Sequence, residues 1–203
     1  MRLLSLPLFL VAALVSLRAA TAPTTADVVI YGGTSSGVAA ALQTARMGKT
    51  AVLIEPTQFL GGLTTGGLGA TDIGNKRAIG GIAREFYGRM WQHYQNPAAW
   101  TRQTPQDYFD RRNKTTGADE KTMWTFEPHV ATKVYDDLLR EAGAKITVVR
   151  GERLDLAQGK GVIKDGARIV RIVMESGRAF AAPPRMLLIL LLILRINKNH
   201  RED

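Results

Sequence analysis

The stretch of sequence from 27 to 55 restricts the possible folds of this chain more than any other. Within residues 27–31, Asp27 is followed by four β-branched or aromatic residues without alternating polar residues, which is typical of a parallel strand buried on both faces. Residues 32–37 interrupt this run, and residues 38–47, with four alanines, have the composition of a helix. A second β-rich run covers residues 50–54. This order predicts a βαβ unit, and therefore an α/β fold with a parallel sheet.

The interruption between the first strand and the helix has the composition of a loop that binds a diphosphate. It consists of Gly32, Gly33, Thr34, Ser35, Ser36 and Gly37. A diphosphate requires backbone N–H donors and the N-terminus of a helix directed at it, and this loop supplies both. In the pattern G-x-G-x-x-G, Gly32 and Gly37 are the outer glycines, but Thr34 occupies the middle position. We therefore expect a slightly different loop; a glycine-rich turn of another α/β fold is the alternative.

Glu55 favours a nucleotide with an unphosphorylated ribose. It lies eighteen residues after Gly37, at the predicted carboxyl end of the second strand. An acid at this point accepts hydrogen bonds from the ribose hydroxyls, as in proteins that bind FAD or NAD rather than NADP. The alternative is that Glu55 is a solvated surface residue.

A second glycine-rich segment, residues 61–69, favours FAD over NAD. It holds five glycines, so we expect a shaped loop rather than a regular element. Such a loop can continue contact along the pyrophosphate and ribitol of a longer cofactor, and a flexible linker would not need Leu63 and Leu68. An NAD-dependent dehydrogenase remains the less favoured alternative, because simple nicotinamide domains usually continue directly into another strand or helix.

Two amphipathic helices and a group of short strands are predicted downstream. The first helix covers residues 80–94 and has an apolar residue every four positions: Ile82, Phe86, Met90 and Tyr94. The second runs from Glu127-Pro128 to about residue 142, and residues 96–121 between the two are predicted to be irregular. From residue 145 a period of two predicts a small β-meander with strands at 146–149, 153–156, 162–164, 168–174 and 178–181. Asp165-Gly166 and Ser176-Gly177 are the predicted turns.

Composition argues against several classes of function. The chain of 203 residues carries a formal charge of +9, but its basic residues are scattered without interleaved aromatic residues, so nucleic-acid binding is not predicted. It has no cysteine, which excludes disulfides, thiolate zinc sites and cysteine-bound iron–sulfur clusters. Its three histidines, at 93, 129 and 200, do not have metal-ligand spacing, and we predict no metal site.

The N-terminus has the layout of a secretory signal peptide. Arg2 is followed by an apolar run at residues 3–17 and then by small residues. The run is shorter than the roughly 20 residues that a membrane span needs, so an uncleaved membrane anchor is the alternative and a cleaved signal peptide is the prediction. Cleavage is predicted after Ala22, where the following proline is unfavourable, or after Ala26. We expect residues 1–26 to be removed, no stable membrane span beyond this segment, and export to the periplasm or the medium.

Several segments together resemble a family of bacterial, often exported, FAD-dependent oxidoreductases related to the fumarate-reductase and glutathione-reductase-like flavoproteins. These segments are 27–34, 55–56, 61–62, 65–72, 80–86 and 126–130. The resemblance covers about residues 27–180, and threonine at the middle glycine position is common in that family. It implies that residues 32–37 hold the pyrophosphate, that Glu55 binds ribose and that the backbone near Leu154 contacts adenine. It also implies a path toward the flavin lined by Gly61, Gly62, Thr65, Gly66 and Gly67.

The sequence departs from that family at its C-terminal end. Relatives are much longer, whereas residues 183–203 here hold an apolar run, 186–194, and a basic tail. We expect residues 27–182 to form an incomplete, Rossmann-like FAD-binding domain followed by a truncated or out-of-frame end; alternatively, the apolar run forms a natural buried strand. Alone, such a chain is expected to bind FAD weakly without turnover, so a non-catalytic nucleotide-binding remnant remains an alternative function. The catalytic residues, small-molecule substrate and electron acceptor are unknown from the sequence.

Overall fold

Two sheets and four α-helices make up the computed structural model, which describes residues 22–72, 74–112, 121–183 and 187–190. In chain order the strands are β1 (Thr24–Thr25), β2 (Val28–Tyr31), β3 (Ala51–Glu55), β4 (Ile146–Arg150), β5 (Val162–Asp165), β6 (Arg168–Val173), β7 (Ala179–Ala181) and β8 (Leu187–Leu190). The helices are α1 (Ser35–Arg46), α2 (Gly81–His93), α3 (Pro105–Arg112) and α4 (Pro128–Ala142). Short 3-10 helices cover Gly62–Thr64, Lys76–Ala78, Pro97–Ala99 and Gly143–Lys145.

The central sheet has the order β4-β3-β2-β8, and its strands are all parallel. Every residue of β3 is buried. Successive residues of a strand face opposite sides of the sheet: Ile30 and Leu53 join one hydrophobic cluster, whereas Val29 and Ile54 join another. Both faces of the sheet are therefore covered, as the continuous apolar runs in the sequence predict.

Helices α1, α2 and α4 cover one face of the central sheet. Val38, Met90 and Leu138, one from each helix, are buried in the cluster that also holds the inner residues of β2 and β3. Helices α2 and α4 contact each other through the stacked rings of Phe86 and Tyr135, whose centroids are 4.6 Å apart. The two helices predicted from apolar spacing are confirmed, with ends that differ from the prediction by one residue or less.

The second sheet, of order β1-β7-β6-β5, covers the other face. Strands β5, β6 and β7 are antiparallel, and Ile172 and Phe180 pack against Val29 and Ile54 of the central sheet. The last three strands of the predicted meander are confirmed, whereas the strand predicted at 146–149 is β4 of the central sheet. The α/β fold class is confirmed. Both predicted turns place a glycine at positive φ, where a side chain would be strained: 58° and 86° at the glycines of the two hairpins.

Two predictions about local structure are wrong. Residues 96–121 are not wholly irregular, because they contain α3. Thr104 begins this helix: its hydroxyl accepts the Asp107 N–H at 3.1 Å, and the Asp107 carboxylate in turn accepts the Thr104 N–H. This reciprocal pair is a capping box, so the motif Thr-x-x-Asp was a usable signal. Residues 153–156 do not form a strand, since only a single bridge joins Leu154 to Met174.

The two ends of the domain take part in its sheets. Residues 187–190 of the apolar run form β8, which pairs in parallel with β2. The truncated or out-of-frame end stays a prediction. Thr24 and Thr25 pair with β7, and Ala26 is buried. Most of the predicted signal segment, residues 1–21, and the tail from 191 lie outside the described residues. Within the described ranges, no helix has the length and apolar character that crossing a membrane requires.

Candidate functional site

The loop between β2 and α1 is shaped by two glycines that press the helix onto the strand. Gly32 has φ 111°, and its N–H donates to the carbonyl of Ile54 at 2.8 Å. A Cβ on Gly37 would overlap with the carbonyl oxygen of Gly32, closer than real side chains come. Only a residue without a side chain therefore fits at position 37, which is the packing role of the third glycine in the dinucleotide-binding pattern.

Thr34, at the middle position of the pattern, caps α1. Its backbone is extended, with φ −67° and ψ 173°, and its hydroxyl accepts the N–H of Gly37 at 3.3 Å. The same hydroxyl is hydrogen-bonded to Ser36 Oγ at 2.9 Å. The cap extends the helix to Ser35, three residues before its predicted start. Threonine in place of glycine thus contributes to the helix terminus that an anion would face.

Replacement of Thr34 by alanine is expected to lower the free energy of unfolding by about 0.5–2 kcal/mol, because an exposed helix end loses its side-chain acceptor. Chemical denaturation monitored by circular dichroism measures this change. Thr132→Ala is the matched control: Thr132 is exposed within α4, and its hydroxyl bonds only to the carbonyl of Pro128. A Thr34→Ala variant as stable as the control would contradict the capping role.

Glu55 is buried, with 8% of its surface exposed, and its carboxylate joins the first glycine loop to the segment that follows β3. Its Oε2 accepts the N–H of Gly33 at 2.7 Å, and its Oε1 accepts both the N–H and the hydroxyl of Thr57 at 2.8 Å. The alternative that Glu55 is a solvated surface residue is therefore wrong. A carboxylate offers about four acceptor positions, so three donors leave room for a ribose hydroxyl at Oε2.

The second glycine loop is hydrogen-bonded to the first. The N–H of Gly61 donates to the carbonyl of Gly33 at 2.7 Å, and Ser35 Oγ donates to the carbonyl of Gly61 at 2.9 Å. Ser35 Oγ also lies 2.8 Å from Thr64 Oγ1. Gly62 is adjacent, since a Cβ there would lie 3.6 Å from Thr34. The structure thus brings together the two loops that the sequence predicted separately.

The remaining residues of the second loop are hydrogen-bonded within that loop or border open space. Thr65 donates its hydroxyl to the carbonyl of Leu60, within its own loop. Gly66 donates its N–H to the carbonyl of Gly62 at 3.0 Å, closing a turn. Gly67, at φ 128°, has open space where a side chain would stand. Their predicted place along the path to the flavin stays a prediction.

Tyr135, on α4, belongs to this site and was missed from the sequence. Its ring is buried below Gly61, where an added Cβ would lie 2.8 Å from Tyr135 Cε2. Burial raises the pKa of its hydroxyl, while a hydrogen bond with Ser35 acts in the opposite direction. The apolar spacing of α4 predicted that the helix is buried on this face, but no local signal connects Tyr135 with Gly61, which lies 74 residues earlier.

Leu154 lies near the far end of the same edge of the sheet. The N–H of Glu152 donates to the carbonyl of Glu55 at 3.2 Å, which places this segment beside the end of β3. The N–H of Leu154 donates to the buried hydroxyl of Tyr31 at 2.9 Å. A backbone contact from Leu154 to adenine would therefore use its carbonyl rather than its N–H.

One cavity among the described residues is not lined by the loop residues named above. That cavity, of about 460 Å³, lies beside Tyr94, Trp100 and Phe126. A smaller one, of about 170 Å³, lies behind the second loop and is lined in part by Leu60 and Tyr135. Among the described residues no group of acidic or histidine side chains is arranged to hold a metal ion.

The fold and the two joined loops define a Rossmann-like nucleotide-binding domain of the α/β class. The chain belongs to the FAD dependent oxidoreductase family, whose family model matches residues 27–184. FAD is accordingly the cofactor of this chain's family. No curated protein matches the sequence significantly.

Parts of several solved structures are similar to the chain at low sequence identity. The 3-ketosteroid-Δ4-(5α)-dehydrogenase of Rhodococcus jostii RHA1 is 17% identical with a TM-score of 0.49, over 86% of this chain and 47% of that one. The L-amino acid deaminase of Proteus vulgaris is 17% identical with a TM-score of 0.47, over 83% and 53%. A flavin-containing monooxygenase of Stenotrophomonas maltophilia is 17% identical with a TM-score of 0.45, over 82% and 38%. The chain spans about half the length of the first two.

Proposed function

We propose that this chain binds the ADP half of FAD and serves as the nucleotide-binding part of an oxidoreductase that acts on a small molecule. The observation that carries the proposal is the joining of two glycine loops at the N-terminus of α1, beside the buried carboxylate of Glu55. The residues present fit the cofactor: Gly37 leaves the close approach that a Cβ would fill. The flavin ring supplies the electron transfer when FAD is bound, and the protein binds and orients it.

Each residue of the proposed site has a distinct role. The N–H groups at the start of α1, at Ser35 and Ser36, have no acceptor one turn earlier in the helix and face the pyrophosphate. Thr34 holds that helix end in place. Glu55 receives a ribose hydroxyl, and its negative charge disfavours a phosphorylated ribose. Gly61 and Gly62 keep the second loop against the first, so that the cofactor meets one continuous backbone surface.

A competition experiment tests this proposal. FAD is titrated into the purified protein and its fluorescence is followed, and ADP, NAD and NADP are then added as competitors. We expect ADP to displace FAD, because the site recognises the half they share, and NADP to compete least, because Glu55 repels its extra phosphate. Displacement by NADP as efficient as by ADP, or saturation with FAD that ADP never reverses, would contradict the proposed site.

We also propose that the protein is bacterial and exported, as the N-terminal segment and the resemblance to the fumarate-reductase-like group suggest. Pairing of Thr24 and Thr25 with β7 supports cleavage after Ala22 rather than after Ala26, because the later cut would remove an ordered strand and a buried residue. N-terminal sequencing of protein secreted by its host is expected to begin at Pro23. Recovery of soluble protein that retains Met1 would contradict export.

A further inference from the structure

The 460 Å³ cavity lies outside the proposed nucleotide site and has the size of a small-molecule pocket, typically about 300–1,000 Å³. It is partly open to solvent and is lined by Ala70, by Tyr94 at the end of α2, by residues 99–103, by Tyr108, and by residues 123 and 125–127. Neither glycine loop nor Glu55 contributes to its lining. The second glycine loop is nevertheless adjacent, since Ala70 lines the cavity and the N–H of Phe126 donates to the carbonyl of Gly69 at 2.8 Å.

Three aromatic side chains form one wall of this cavity. The rings of Tyr94 and Trp100 have centroids 5.2 Å apart, and those of Trp100 and Tyr108 are 5.4 Å apart. Their polar atoms are already used: Trp100 Nε1 donates to the carbonyl of Tyr94, and the Tyr108 hydroxyl to that of Thr125, both at 2.9 Å. The parts of these side chains that line the cavity are ring surfaces, which bind apolar rings and attract organic cations.

Glu127 places a carboxylate at the edge of the same wall. It precedes the first residue of α4, yet its side chain does not cap that helix. Instead its Oε2 accepts the hydroxyl of Tyr94 at 3.0 Å, while the same hydroxyl accepts the Glu127 N–H at 3.1 Å. This reciprocal pair fixes the carboxylate beside the aromatic wall. Its Oε1 has no hydrogen-bond partner among the described residues and is open to a ligand.

Among the described residues, the basic groups near this carboxylate include Arg102, His93 and His129. Arg102 lines the cavity but is exposed, so water screens its charge. The ring of His93 stands edge-on to Tyr94, and burial lowers the pKa of His93, which favours its neutral form. His129 Nε2 is 4.0 Å from Glu127 Oε2, and its side chain is 74% exposed.

We propose that this cavity binds a small amine that carries an apolar ring. The ring lies against Tyr94, Trp100 and Tyr108, and the ammonium group is held by Glu127 Oε1 and by the faces of the aromatic wall. One ligand can contact both the carboxylate of Glu127 and the rings, because the Tyr94 hydroxyl holds that carboxylate beside the aromatic wall.

Four probes that vary ring and charge separately test the proposal: phenethylamine, 3-phenylpropanoate, 2-phenylethanol and ethylamine. Binding to the full chain is measured by isothermal titration at pH 7.5, with and without saturating FAD. We expect phenethylamine to bind with a Kd of about 0.1–1 mM, as befits so small a ligand. The other three should bind at least tenfold more weakly, and FAD should leave each Kd unchanged. Equal binding of phenethylamine and 3-phenylpropanoate, competition with FAD, or binding of none would overturn the proposal.

A pair of isosteric variants tests whether the charge of Glu127 binds the ammonium group. Glu127→Gln keeps the shape of the side chain and loses no helix cap, and it is expected to weaken phenethylamine at least fivefold while leaving 2-phenylethanol unchanged. Glu175→Gln, at an exposed position of the meander, is the matched control and should alter neither. Unaltered phenethylamine binding by Glu127→Gln would overturn the role of the carboxylate. Because the probes are not nucleotides, these results are distinct from a failure of FAD binding.

Discussion

Replacement of Gly37 by alanine is expected to lower the free energy of unfolding by about 3 kcal/mol or more and to abolish FAD binding. Alanine is the better helix former by about 1 kcal/mol, so intrinsic propensity alone predicts a gain. A steric overlap outweighs this gain in helix propensity, because the new Cβ would overlap with the carbonyl oxygen of Gly32, a backbone atom that cannot rotate away. Helix α1 must then move off the strand, and the helix end that faces the pyrophosphate moves with it.

Gly88→Ala is the matched control for this prediction. Gly88 also lies within a helix, α2, but the nearest atom to a Cβ there is the carbonyl oxygen of Lys121 at an ordinary 3.7 Å. This variant should be as stable as the wild type or more stable by up to about 1 kcal/mol, with unchanged FAD binding. Thermal and chemical denaturation, with FAD titration, compare the two. A Gly37→Ala variant that behaves like Gly88→Ala would contradict the tight packing of the loop.

Replacement of Glu55 by glutamine is expected to weaken FAD binding by about 5- to 150-fold and to lower the free energy of unfolding by about 1–3 kcal/mol. Glutamine has the same shape but only one acceptor oxygen. It can serve either the N–H of Gly33 or the two donors of Thr57, while its amide group faces a donor at the other end. A buried donor is left unsatisfied, the first loop loosens and the acceptor for the ribose hydroxyl is weakened.

FAD titration and chemical denaturation of the same preparation measure both effects. Glu175→Gln removes a charge from the exposed turn of the meander and is expected to change neither quantity. The loss of affinity should be larger for FAD and ADP than for NADP, since the latter never benefits from the carboxylate. Full affinity and stability in Glu55→Gln would show that Glu55 neither organises the loop nor meets the ribose.

The predictions that succeeded rest on local signals. Continuous apolar runs identified β2 and β3 because a strand covered on both faces has no polar side. The four-residue spacing that ends at Tyr94 identified α2, and Gly166 and Gly177 identified the hairpin turns because the chain needs positive φ there. The missed helix α3 had a local signal too, the capping box of Thr104 and Asp107, which the polar composition around it concealed.

The sequence predicted which residues form the nucleotide site better than it predicted how they are arranged. The glycine loop and its acid follow from spacing, because a strand, a loop and a helix in succession place them at one edge of the sheet. Thr34 departs from the glycine pattern, but its hydroxyl caps α1 and so belongs to the structure of the loop. Tyr135 joined the site only because α4 packs beneath the second loop.

By itself, the sequence determined the type and order of most elements and indicated the family of the chain, and it predicted the residues of the nucleotide loops. Only the tertiary structure decided which of them meet: Glu55 with Gly33, Ser35 with Gly61, and Leu154 with Tyr31, which lies 123 residues earlier. The reason is physical. Periodicity specifies the face of an element on which a residue lies, whereas the partner across that face is selected by the packing of whole elements against one another.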